Sequence, residues 1–127
     1  MPPPSIRTIR ACSLEEASHT WDAIRVPRSV GLDALAILGG RSGAVLEDPL
    51  NAALYWFTAP GTAATWDVAG TRVLDQTAHL VIPPARRTQG PGPHWRVCPG
   101  DEAWTTEAAA LRAALEDAAS PGRGAVR

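Results

Sequence analysis

The spacing of apolar and polar positions divides this chain into short elements. Ser13-Leu14-Glu15-Glu16 has a serine hydroxyl three residues ahead of a glutamate, the spacing of a capping box, and predicts a short helix from Leu14 to about Thr20. Trp21 to Val26, read as a strand, carries Trp21, Ala23 and Arg25 on one face and Asp22, Ile24 and Val26 on the other, and Pro27 ends it. Ser29 then caps a predicted helix whose Val30, Ala34, Leu35, Ile37 and Leu38 form an apolar stripe before Gly39-Gly40. Residues 43–48 and 52–58 flank Pro49-Leu50-Asn51 at hairpin length, so two antiparallel strands are expected there. Pro60-Gly61-Thr62 turns into a short helical segment ending near Trp66. Further strands are expected at 71–74, 79–82 and 93–97. Thr105 or Thr106 caps a last helix through Ala119, with Leu111 and Leu115 one turn apart.

Connections of hairpin length cannot join parallel neighbours, so this order predicts an α+β fold: a mixed, mainly antiparallel sheet with helices packed on one face, of the ferredoxin-like kind. A glycine-rich dinucleotide fingerprint is absent. The 127 residues suit one domain, since a chain of this size buries roughly 65–70% of its unfolded surface. Its expected limits are residues 13–119, between a proline-bearing arm at 1–12 and a tail at 120–127.

Charge narrows the function classes. The formal net charge of -1 removes any bulk electrostatic argument for nucleic-acid binding, so an anion site has to be local. All 12 basic residues are arginine, which reads first as codon bias in a GC-rich genome. Cys12 and Cys98 lack metal-ligand spacing and follow no secretory segment, and no apolar run approaches the ~20 residues of a membrane span, so a cytoplasmic protein with reduced thiols is expected and no membrane partner.

The chemistry concentrates in residues 71–97. The apolar run Leu80-Val81-Ile82 stops at Pro83-Pro84, and Arg86 and Arg87 follow in a loop whose Gly90-Pro91-Gly92-Pro93 run exposes backbone. Alternation along the returning strand places His94 and Arg96 on one face and Trp95 on the other. Arg86, Arg87, His94 and Arg96 are therefore candidate anion- or nucleic-acid-binding residues, with a solvated basic loop as the plainer reading. His19, His79 and His94 with Asp22 or Asp75 have no helical or strand ligand spacing, so no metal site is assigned. Tyr55, Trp56 and Phe57 fit a sheet core more simply than a base-stacking surface, and Cys98 reads as an inert thiol.

The segment AHLVIPPARRTQGPGPHWRV is similar to the strand and loop that close the amino-terminal domain of bifunctional DNA primase/polymerases, the prim-pol group. Pro83-Pro84 and His94-Trp95 fall in the family's places, and the upstream AVLEDP resembles its acidic strand. The resemblance covers residues 20–118 and is to the small, diverged actinobacterial members. It implies a primase-related fold, with Glu47 and Asp48 as candidate catalytic acids and Mg or Mn as cofactor only if catalysis survives. Glu47 and Asp48 are adjacent, however, so a regular strand points them to opposite faces, and the family's Ser-x-His element has no counterpart. The implied function is a non-catalytic prim-pol-like domain that binds a nucleotide, nucleic acid or protein partner. A protein-interaction or regulatory module and a residual metal-dependent nucleotidyltransferase are the alternatives.

Overall fold

The computed structural model describes residues 13–16, 21–74, 79–99 and 104–119. The expected arm and tail lie outside these, as do Cys12, His19 and Asp75. The elements run β1 (Ser13–Glu16), β2 (Asp22–Pro27), α1 (Arg28–Leu38), β3 (Val45–Asp48), β4 (Ala53–Thr58), β5 (Arg72–Leu74), β6 (His79–Ile82), β7 (His94–Val97) and α2 (Ala108–Ala118), with 3-10 turns at Gly39–Arg41 and Thr62–Thr65. Five strands form one sheet in the order β5-β2-β4-β3-β7, and β1 and β6 form a separate two-stranded ribbon. The α+β class is as expected. All described strand pairs are antiparallel, so the sheet is not mixed.

The β3–β4 hairpin sits at the heart of the sheet because β4, Ala-Leu-Tyr-Trp-Phe-Thr, is buried at every position. Its alternate side chains serve two cores. Leu54 and Trp56 face α1 and α2, where Val26, Val45, Ala34, Leu38, Leu111 and Leu115 join them. Gly31 permits this packing, since a Cβ there would lie 2.8 Å from Leu54 Cδ1. Tyr55 and Phe57 face the other way, into a cluster with Trp21, Leu46, Trp95, Trp104 and the ribbon residues Leu80 and Ile82. Four of its rings pack on one another with centroids 4.7–6.2 Å apart, in mainly edge-to-face geometry. The aromatic residues thus build the core, as their alternation implies.

Three expected helix starts are corrected. Residues 13–16 are strand, not helix: they pair from Ser13 opposite Ile82 to Glu16 opposite His79, and a ladder satisfies the backbone of so short a segment where an isolated turn would not. Ser29 is not the cap of α1, because helical geometry begins at Arg28, directly after Pro27, and no side chain caps it. The Arg28 amide donates instead to the Ala52 carbonyl at 2.8 Å. Nor does Thr105 or Thr106 cap α2, which begins at Ala108. Thr106 is buried as a stitch: its hydroxyl accepts the Gly43 amide at 2.8 Å, and its own amide donates to the Phe57 carbonyl at 2.7 Å. None of the described helices is long and apolar enough to cross a membrane.

Candidate anion-binding site

On the helix face, one row of paired residues crosses the sheet from Val26 through Leu54 and Glu47 to His94. It begins apolar and ends charged. Glu47 is buried, with its side chain 6% exposed, and three groups surround the carboxylate. Arg28 Nε, on the first residue of α1, donates to Oε2 at 2.7 Å, and Arg96 Nε donates to Oε1 at 3.0 Å. His94 Nε2 lies 3.4 Å from Oε1, and His94 Nδ1 is 3.0 Å from the Gly92 carbonyl, an oxygen that can only accept. Burial pushes the Glu47 carboxyl up. The Arg28 hydrogen bond and the charges of Arg96, Arg28 and His94 outweigh burial and hold it below the usual carboxylate range.

The two guanidiniums remain partly solvated, Arg28 at 46% and Arg96 at 37% side-chain exposure. Each is tethered through Nε alone, so its two terminal amino groups have no partner among the described residues. Two cations on one carboxylate leave an excess of one positive charge beside the uncapped start of α1, where helix amides add a partial positive charge of their own. The arrangement can accept an oxyanion through charge-assisted hydrogen bonds.

The structure brings together Glu47, His94 and Arg96 of the sequence candidates and adds Arg28. Asp48 points to the opposite face, where its Oδ2 accepts Asn51 Nδ2 at 2.7 Å and fixes the hairpin turn. The two adjacent acids therefore do not converge on one ion. Arg86 is exposed, while Arg87 folds back on its own loop: its Nη2 donates to the Pro91 carbonyl at 2.7 Å, and its carbonyl accepts the Trp95 amide at the same distance. Trp95 Nε1 donates to the Pro84 carbonyl at 3.0 Å, so the Pro83-Pro84 and His94-Trp95 pairs are joined directly. Asp22 is buried and accepts the amides of Gly61 and Ala63 at 3.0 and 2.8 Å, which makes it the anchor of the 62–65 turn. Cys98 is a free, exposed thiol.

Arg28 escapes a reading by strand alternation because it lies on a helix. The signal in the sequence is its place two residues beyond Val26, which shares a sheet row with Glu47. Comparison with protein-family models, with curated proteins and with solved structures finds no match to this chain.

Proposed function

We propose that this domain is a non-catalytic binding module that holds the phosphate groups of a nucleotide or single nucleic-acid strand at the Arg28–Arg96 pair. The observation that carries the reading is the tether: Glu47 engages each guanidinium only at Nε, which orients both and leaves their terminal amino groups for an anion. Preorganised forks of this kind suit phosphate oxygens better than a flexible ammonium does. The engagement of both acids supports the non-catalytic reading, since Glu47 is held between arginines and Asp48 holds a turn on the other face. On this reading the prim-pol resemblance of residues 71–97 is a relation of fold and ligand without metal-dependent polymerisation.

Titration of a labelled single-stranded oligonucleotide at several salt concentrations tests the assignment. Two phosphate contacts give a log-log salt slope of about -1.4, from roughly 0.7 per contact for single strands. The Arg28→Ala/Arg96→Ala variant is expected to lose the binding and its salt dependence. Equal binding by parent and variant, or none by either, overturns the reading; loss only in Arg86→Ala/Arg87→Ala moves the contact to the loop.

A further inference from the structure

The opposite face of the sheet carries a second cross-strand row, which runs from Trp95 through Leu46, Tyr55 and Arg25 to Arg72. Trp95, Leu46 and Tyr55 are core residues. The row then ends in two arginines set directly opposite each other on β2 and β5. Like charges in directly opposed positions destabilise a strand pair, because their Cβ atoms stand only about 5 Å apart. Among the described residues neither arginine takes part in an ion pair. Asp48 shares this face and keeps its charge, but its carboxylate accepts from Asn51 and forms no ion pair with either arginine. The remaining polar neighbour is Tyr55, a buried residue whose hydroxyl feels the charges of Arg25 and Arg72. No described acid contacts the pair directly.

An open cleft of about 220 Å³ is lined by the two arginines together with Pro27, the hairpin residues Asn51, Ala52 and Ala53, and Gly70 and Thr71. Its size suits a tetrahedral oxyanion with accompanying water. β5 is an edge strand and Arg72 is exposed, so the cleft is reached from solvent. The Thr71 hydroxyl is occupied, donating to the Val68 carbonyl and accepting from Trp66 Nε1, which leaves the guanidiniums as the main source of selectivity.

We propose that this cleft is a second oxyanion site, which takes a phosphate-class group between Arg25 and Arg72. A dianion there converts a repulsive cross-strand pair into two charge-assisted, fork-shaped contacts and locks the short edge strand β5 onto β2. The site stands on the face opposite Arg28 and Arg96 and is independent of the function proposed for them.

Thermal unfolding in inorganic phosphate, against chloride at matched ionic strength, provides the test. Phosphate is expected to raise the melting temperature of the parent and of Arg28→Ala/Arg96→Ala. Arg72→Gln is expected to lower phosphate affinity by about 10- to 100-fold, the loss of a hydrogen-bond pair to a charged group. Without phosphate, Arg72→Gln is expected to melt at or above the parent temperature, because one of two repelling charges is gone. A purely structural arginine gives a lower melting temperature instead. Arg72→Lys, which retains the charge but not the fork, is expected to bind phosphate more weakly than the parent. Absence of phosphate stabilisation in the parent, or an equal gain in parent and Arg72→Gln, overturns the proposal, the latter being the mark of general salt exclusion.

Discussion

Replacing Glu47 by Gln tests the organisation of the helix-face site most sharply. The substitution keeps the shape of the side chain, removes its charge and turns one acceptor oxygen into a donor. Either Arg28 Nε or Arg96 Nε, now 2.7 and 3.0 Å from carboxylate oxygens, then meets an N–H group. A hydrogen bond to a charged group contributes about 1.5–3 kcal/mol, and loss of a fully buried pair costs about 3–5 kcal/mol. Both arginines are more than one-third exposed and can regain water, which places the expected loss near the lower range, at about 2 kcal/mol. For a domain of this size that lowers the melting temperature by about 8 °C. The Glu47 carboxyl titrates lower in the folded chain than in the unfolded one, so its contribution is full above the unfolded value of 4.5 and is lost as pH falls through the lower folded value. Melting curves of parent and Glu47→Gln by tryptophan fluorescence should therefore lie apart at neutral pH and converge in acid. Coincident curves at neutral pH, or a gap that persists once the carboxyl is protonated, refute the reasoning.

Other expectations follow from single positions. Gly43→Ala brings a Cβ within 2.7 Å of the Thr105 carbonyl oxygen and 2.9 Å of the Trp104 oxygen, both backbone atoms that cannot swing aside. A loss of about 3 kcal/mol in denaturant unfolding is expected, at the upper end of overpacking costs. Ala52, at φ 51°, occupies left-handed backbone, so Ala52→Gly is expected to stabilise by up to about 1 kcal/mol on the same assay. With Mg or Mn and labelled nucleotides, the protein is expected to give no primer synthesis or extension. Incorporation abolished by Asp48→Ala would return the adjacent acids to a catalytic role.

The sheet was legible in the sequence wherever burial imposes a period of two. Trp21 to Val26 and Ala53 to Thr58 alternate between two cores, and the short Pro49-bearing turn permits only antiparallel neighbours. Helix starts were less legible because local capping patterns compete with tertiary partners. Ser13 and Glu16 have capping-box spacing, but their backbone pairs with β6, and the Thr106 hydroxyl serves Gly43, far away in the sequence. The candidate site was half visible. Alternation placed His94 and Arg96 together and separated Glu47 from Asp48, but Arg28 reaches Glu47 only through the packing of α1 on the sheet. The Arg25–Arg72 pair depends on the register of β5 against β2, which spacing along the chain does not specify.

The central claim is that Glu47 presents Arg28 and Arg96 as one phosphate-holding pair. Two-dimensional spectra of the arginine Nε–Hε groups, recorded during titration with a nucleoside triphosphate, test it at the residues themselves. The Arg28 and Arg96 signals are expected to move together along one saturating isotherm, while Arg86 and Arg112 stay in place, and the movement is expected to vanish in Glu47→Gln. Signals of Arg28 and Arg96 that remain still as the nucleotide is added would contradict the account.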